Sequence, residues 1–360
     1  MRIFVASGIF HPESGGPATY LLKLLPALQE AGHDLTVLTF GEGEVESYPY
    51  PLTRIPRAAY PLRQGRYFQA AGRLWSGHDL AFVHSLGLSL PAKVRPRLGK
   101  IVGDKAWERS VNRGWISPRD DIDAFQTRRD PDPRVALAKR LRNRQARAFD
   151  HVIVPSNYLK LMVGGWGLAP EQISVIYNAI EPPSGPQIDQ AGACARLVAW
   201  KGIDHLINAI TPLRAVHLLV AGDGESRPML EALAERLGIR DRVHFLGRVP
   251  RDKMPLYFKA ADYTALYSGY EGLSHVLLES LQAGTPVIAS DKGGNPELIT
   301  HDANGLLVPY VDVTALRGVI EEAFSPGKRA ALAGGTGTGL ERFSWDRLVT
   351  DTLKVLNHFS

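Results

Sequence analysis

One cysteine, Cys194, is all that the sequence offers for a disulfide or a thiolate metal cage, so neither an internal disulfide framework nor a cysteine-rich zinc site is available to it. A single thiol also agrees with a reducing compartment. No apolar run reaches the roughly 18 residues of a membrane-spanning helix. The opening MRIFVASGIF lacks the basic region, apolar core and small-residue cleavage site of an export signal; it reads as the start of a patterned strand, and the expected location is cytoplasmic. Internal repeats of about 20 to 50 residues are absent too, which excludes solenoids and propellers.

What is present is ordinary for a globular protein: 44% apolar and 22% charged residues over a chain of 360. At about 100–200 residues per domain, that length favours two domains of similar size. The net charge of +5 is unevenly spread, because residues 1–185 carry 24 Lys+Arg against 17 Asp+Glu and the remainder 18 against 20. KVRPRLGK (93–100) and RVALAKRLRNRQARAF (134–149) hold much of the excess. Such a surface attracts phosphates, anionic lipid or nucleic acid; the alternative is a solvated face on a packing helix whose buried stripe is Val135, Ala138, Leu141 and Phe149. No stacking platform or nucleic-acid recognition motif accompanies the basic excess, so no nucleic-acid partner is expected.

The first forty residues read strand, glycine loop, helix, strand: RIFVAS, FHPESGG, ATYLLKLLPALQEAG, HDLTVLTF. Further strands are expected at DLAFVHS, KIVG, HVIVPS and ISVIYN, with helices between them, which implies a parallel, doubly wound sheet. NAIEPPSGPQIDQAGA (178–193) breaks the rhythm with proline and glycine and reads as a linker. The alternation restarts at CARLVAW and runs to GLLVPY, and FSWDRLVTDTLKVLNHF (343–359) has the spacing of a closing helix. The expected domains are therefore 1–180, 181–342 and a terminal helix at 343–360 that packs back on the first domain. Two Rossmann-like α/β domains would face a cleft lined by the carboxyl ends of their strands, where such folds place ligands.

YEGLSHVLLESLQAG (270–284) follows the strand YTALYS and opens a helix near His275, so its loop and first turn present unpaired N–H groups suited to an anion. Glu271 falls in the loop and Glu279 within the helix. One carboxylate can reach a sugar hydroxyl and the other a ribose diol; the competing account is a surface helix with a capping acid. Gly15 and Gly16 after the first strand permit close backbone approach to a phosphate, or simply a turn. Two Asp-x-Asp pairs, Asp121-Ile-Asp123 and Asp130-Pro-Asp132, carry the spacing of a divalent-cation holder, but they lie in polar, proline-containing sequence and not at the end of an apolar strand, so they are read as surface loop. On the other side, His84 ends a strand, and GDKAWERSVNRGW (103–115) offers Asp104, Trp107 and Glu108: a carboxylate to take a hydroxyl proton and an indole to stack on a sugar ring.

Glu271-Gly-Leu-Ser-His-Val-Leu-Leu-Glu279, Gln282-Ala-Gly-Thr-Pro-Val-Ile-Ala-Ser and Gly293-Gly-Asn-Pro-Glu297 together resemble the donor-site signature of retaining glycosyltransferase family 4, with the GT-B fold. Gly15-Gly16, His84, VPSNY, IYNAIE, ARLVAWKG, VAGDGE, FLGRV and FSW extend the likeness, in order, over nearly the whole chain. The resemblance implies a metal-independent hexosyltransferase of polysaccharide biosynthesis that needs no cofactor. Its co-substrate is a UDP- or GDP-linked sugar and its acceptor a glycan, lipid-linked or small-molecule hydroxyl. It implies that Arg196 and Lys201 hold the diphosphate and stabilise charge on the departing β-phosphate, that Glu279 binds the ribose and Glu271 the transferred sugar. Gly15, Gly16, Gly222, Gly272, Leu273, Ser274, His275 and Glu297 join the donor site by the same likeness, and His84 the catalytic set; Asp104 joins that set from its own place after a strand end, where family members vary and often carry a histidine. Ala195 stands where the family commonly has glycine, and Leu273-Ser274-His275 replaces a more usual Phe-Gly or Phe-Pro. These departures bear on donor choice more than on fold. The basic first domain adds an expectation of peripheral contact with an anionic membrane at its inner face. Competing readings are a nucleotide-sugar epimerase on the same frame and a non-catalytic nucleotide-sugar-binding protein.

Overall fold

The computed structural model describes residues 1–13, 15–42, 47–180, 193–194 and 199–359, with backbone alone at Ala193, Cys194 and Ala199. Most of the linker read at 178–193, and Arg196 of the diphosphate pair, lie outside the described residues. The chain forms two compact units. The first comprises Met1–Trp115, Arg129–Tyr177 and Trp345–Ser360, the second Ile116–Arg128 and Asn178–Ser344. Segment Ile116–Arg128, placed with the first domain on sequence, thus clusters with the second.

In the first unit β1 (Arg2–Ser7), β2 (Asp34–Phe40), β3 (Leu52–Ile55), β4 (Leu80–His84), β5 (Arg97–Lys100), β6 (His151–Val154) and β7 (Ile173–Val175) make one parallel sheet in the order β3-β2-β1-β4-β5-β6-β7. The apolar runs of β1, β4 and β6 are continuous because these strands are covered on both faces; every residue of β4 is buried. The order reverses between β1 and β4, which opens a crevice at their carboxyl ends. The terminal helix Trp345–Leu356 buries Leu348, Thr352, Val355 and Leu356 and packs on helix Gly16–Glu30.

Helix Pro133–Ala146 departs from the expected stripe. Its inner face is Val135, Ala138, Arg142 and Ala146, while Leu141 is 42% exposed and Leu137 55%. The 3.6-residue period passes through position 142, where the guanidinium is tolerated inside because an acid meets it there.

In the second unit β8 (Ala193–Cys194), β9 (Leu218–Ala221) and β10 (Val243–Gly247) pair in parallel as β10-β9-β8. The strands β11 (Thr264–Leu266), β12 (Val287–Ser290) and β13 (Gly305–Val308) pair as β11-β12-β13, and β8 runs next to β11. β8 and β11 thus stand at the adjoining edges of two three-stranded sheets. Helices Ile203–Ile210 and Val313–Ala323 pack together over these sheets, burying Ile203, Leu206, Ile207, Leu316 and Ile320.

Candidate active site

In the second unit, close backbone contacts lock the turn and glycine at 199–202 to the loop that follows β11. Gly202 has φ of 65° and caps helix Ile203–Ile210; a Cβ there would stand 2.0 Å from the Tyr267 carbonyl oxygen. Only glycine lets these two chain segments touch. Beside it the Gly269 N–H donates to the Trp200 carbonyl at 2.8 Å. The consequence is that Lys201, ending the turn Ala199–Lys201, brings its ammonium onto Glu271 Oε1 as an ion pair with both side chains largely buried.

A second close approach supports Glu271 from the other side. Gly293 (φ 64°) would place a Cβ 2.1 Å from the Glu271 carbonyl oxygen, and the Gly294 N–H donates to that oxygen at 2.9 Å. The donor-like loop is thus held by backbone against the turn before helix Asn295–Leu298. Helix His275–Gln282 starts from Ser274, whose hydroxyl accepts the Leu277 N–H at 3.3 Å. Leu273 and Ser274 are buried, His275 is exposed and Gly272 is half-buried. Glu279 is half-buried within the same helix. Burial pushes its carboxyl up from the usual carboxylate range, against the pull of Arg251, whose Nη2 lies 3.3 Å from Oε1. Sequence reading missed Arg251; the signal was a basic residue just beyond the FLGRV turn.

Gly222 follows β9, and its N–H donates to the Gly247 carbonyl at 2.7 Å. Glu297 sits half-buried in helix Asn295–Leu298, and its carbonyl accepts a bond from Arg342 Nη2 at 2.5 Å.

In the first unit Gly15 and Gly16 are exposed at the start of helix Gly16–Glu30, with Pro17 in its first turn. A Cβ at Gly16 would meet nothing within 4 Å, so the space there is open. At the carboxyl ends of the strands, register aligns Ser7 of β1, His84 of β4 and Lys100 of β5 in one row. His84 is 2% exposed and neither ring nitrogen has a hydrogen-bond partner among the described residues. Burial, then the Lys100 charge, brings its pKa down to about 3. The ring rests 5.0 Å from that of Tyr20.

Lys100, which the sequence reading passed over, is 1% exposed. Its Nζ donates to the Ile176 carbonyl at 3.4 Å and lies 5.0 Å from the Tyr20 ring centroid. Burial lowers its pKa from 10.5 to about 7. Between those limits the unfolded chain holds a proton that the folded chain has released, so stability rises with pH across that window. Lys100→Met is expected to flatten the rise, by up to about 1.4 kcal/mol per pH unit, in urea unfolding followed from neutral to alkaline pH. An unchanged slope would place the titration elsewhere.

Asp104, a candidate base on sequence, is committed otherwise. It is fully buried; Oδ1 accepts the N–H groups of Ala106 (2.8 Å) and Trp107 (3.2 Å) as the cap of helix Lys105–Asn112. Its Oδ2 pairs with the buried Arg142 guanidinium, which lies over the Trp166 ring at 4.4 Å. Both oxygens are engaged inside the first unit and the side chain is fully buried, which fits a structural role.

The two Asp-x-Asp pairs likewise meet cations of the protein. Asp121 caps helix Ile122–Thr127 and pairs with Lys292 at 2.9 Å. Asp132 caps helix Pro133–Ala146 and pairs with Arg134 at 2.7 Å, and Asp130 pairs with Lys139 at 2.5 Å. Among the described residues no helix is long and apolar enough to cross a membrane.

Residues 14–182 match the family model described as Glycosyltransferase Family 4, and residues 190–333 the one described as Glycosyl transferases group 1. An uncharacterized glycosyltransferase of Methanocaldococcus jannaschii is 33% identical over 229 residues, which is 57% of this chain and 59% of that protein. A D-inositol 3-phosphate glycosyltransferase of Xylanimonas cellulosilytica is 36% identical over 180 residues, 48% of this chain and 42% of the relative. The chain thus spans about half the length of these curated relatives. Among solved structures, sucrose-phosphate synthase from Thermosynechococcus elongatus superposes with a TM-score of 0.78 at 21% identity, over 99% of this chain and 98% of that one. Anabaena HepE in complex with UDP-glucose does so with 0.73 at 21%, over 99% and 100%. At such identities the likeness speaks for the fold.

Proposed function

Because the chain belongs to glycosyltransferase family 4, with the GT-B fold, we propose that it transfers a hexose from a UDP- or GDP-linked donor to an acceptor hydroxyl, with retention at the anomeric carbon and without a divalent cation. The observation that carries this reading is the Lys201–Glu271 pair beside the adjoining edges of the β8 and β11 sheets, held by two glycine contacts that leave no room for a side chain. It puts a fixed ammonium and a hydrogen-bond acceptor for sugar hydroxyls side by side.

In the proposed step the bond from the anomeric carbon to the β-phosphate oxygen breaks, and the acceptor oxygen bonds to that carbon on the same face. The acceptor proton passes to the departing phosphate. Negative charge grows on that phosphate, so a preorganised cation stabilises the transition state more than the bound donor. Lys201 supplies it, with Arg196 as its expected partner. Glu279 holds the ribose; its raised carboxyl suits hydrogen bonding to a diol in a partly dried site. Two relatives frame the choice of base: HepE was solved with UDP-glucose, and a Mycobacterium tuberculosis relative is described as a GDP-mannose-dependent mannosyltransferase.

The experiment is a thermal-shift screen of nucleoside diphosphates and their sugars, followed by turnover with the stabilising donor. At a concentration of 100 times Kd a ligand adds about 2.7 kcal/mol to stability. A response confined to UDP or to GDP supports the reading and settles the base; no response to any nucleotide sugar sinks it.

We further propose that the first unit meets an anionic membrane through helix Pro133–Ala146. Its outward stripe alternates Arg134, Leu137, Arg140, Leu141 and Arg144, and Leu161 stands 80% exposed on helix Asn157–Gly164. Basic side chains at an anionic surface contribute about 1 kcal/mol each. Flotation is expected to recover the protein with phosphatidylglycerol vesicles and to lose it with pure phosphatidylcholine or on Arg140→Glu/Arg144→Glu substitution. Equal recovery throughout overturns the contact.

A further inference from the structure

The Asp121-Ile-Asp123 pair has the spacing of a metal holder, yet the structure assigns it a different cation. Segment Ile116–Arg128 leaves the first unit at Trp115, clusters with the second, and returns at Arg129. Two sets of ion pairs anchor it. Lys292 Nζ lies 2.9 Å from Asp121 Oδ2 and 3.9 Å from Asp123 Oδ2, and Arg119 Nη2 lies 3.1 Å from Asp204 Oδ2. Arg128 pairs with Asp120 at 2.8 Å and closes the segment on itself around its helix. Between them, helix Ile122–Thr127 starts on the Asp121 cap and buries Ile122 and Phe125.

The positions of the two anchors matter more than their strength. Lys292 immediately precedes Gly293, whose backbone is pressed against Glu271. Asp204 falls in the first turn of the helix that begins just after Lys201. Asp204 is therefore three residues from Lys201, and Lys292 is next to the glycine that lies against Glu271. An isolated exposed ion pair contributes little, but Lys292 and Asp204 are both half-buried, and Asp121 is also bound into a helix cap. The bond to Asp121 holds the Lys292 ammonium above its usual range, as expected for a formed pair.

Resting on the transfer reading above, we propose that Lys292 and Asp204 are positioning residues: they clamp segment Ile116–Arg128 beside the Lys201–Glu271 pair, so that the segment shields the donor from water and directs the acceptor hydroxyl to it. A loosened clamp then admits water as a competing acceptor. Donor hydrolysis gains on transfer, while the donor's own contacts are untouched.

The test is a double-mutant cycle with Lys292→Met and Asp121→Asn, the latter keeping an oxygen for the helix cap. Lys292→Met is expected to raise the ratio of donor hydrolysis to transfer, and the acceptor KM, by roughly fivefold, the scale of one half-buried ion pair. Donor KM should stay unchanged. Adding Asp121→Asn to Lys292→Met should change neither quantity further, because the interaction is already gone. Arg119→Gln should move both quantities in the same direction. A rise in donor KM alone would make Lys292 a donor contact and overturn the clamp, as would an unchanged hydrolysis ratio. Hydrogen exchange of the Ile122–Thr127 amides reads the same clamp without turnover: faster exchange in Lys292→Met supports it and unchanged exchange overturns it. If the wild-type protein neither transfers nor hydrolyses any nucleotide sugar, the functional reading fails, and the exchange arm still decides the clamp.

Discussion

Lys201→Ala is expected to slow sugar transfer by about 10²- to 10³-fold, the loss typical of removing one preorganised group from a developing negative charge. The substitution also strips Glu271 of its partner, and a largely buried carboxylate without a cation costs stability of its own. The two effects separate in the double variant Lys201→Ala/Glu271→Gln, where the orphaned charge is gone. Its urea midpoint should return towards that of the wild-type protein while transfer stays low. Recovery of turnover along with stability would show that the ammonium matters only for folding, and the donor-site assignment would fall. The donor KM is expected to change less than kcat, because the phosphate gains most of its charge as the bond breaks.

Asp104→Asn is expected to destabilise the protein by about 3–5 kcal/mol, the cost of leaving one member of a buried ion pair without the other. The amide oxygen can still cap helix Lys105–Asn112, so the loss falls on the Arg142 guanidinium, which is 4% exposed and has Trp166 stacked against it. Against a typical total of about 5–15 kcal/mol, that is a large fraction. Arg142→Met added to Asp104→Asn should recover most of it, since a long apolar side chain can fill the same space. Denaturant midpoints of the wild-type protein, the two single variants Asp104→Asn and Arg142→Met, and the double variant make the measurement. If Asp104→Asn kept full stability and lost only turnover, the carboxylate would be catalytic and its role in the core misassigned.

Legibility differed from element to element for physical reasons. Parallel strands buried on both faces declare themselves as apolar runs, and β1, β4 and β6 stand where DLAFVHS, HVIVPS and the opening stretch place them. The loop from Tyr270 into helix His275–Gln282 was equally plain, because a strand, a glycine turn and a capping serine follow in order. Charged residues misled. Arg142 sits where an apolar residue was expected, and Leu141, taken as buried, faces out, because sequence periodicity cannot tell which of two neighbours carries a partner from 38 residues away. Lys100 inside the first unit and the pairing of Lys292 with Asp121 across 171 positions were invisible for the same reason.

The sequence by itself determined two α/β units and the alternation of their elements, because backbone burial and turn chemistry are local and repeat with fixed periods; the family likeness was carried by ordered motifs along the chain. Tertiary structure alone decided that Lys201 meets Glu271, that Asp104 belongs to an ion pair inside the first unit, and that segment Ile116–Arg128 is held by the second. Those outcomes depend on which opposite charges share a desolvated space, and Coulomb energy follows distance in the folded chain, which separation along the sequence does not record.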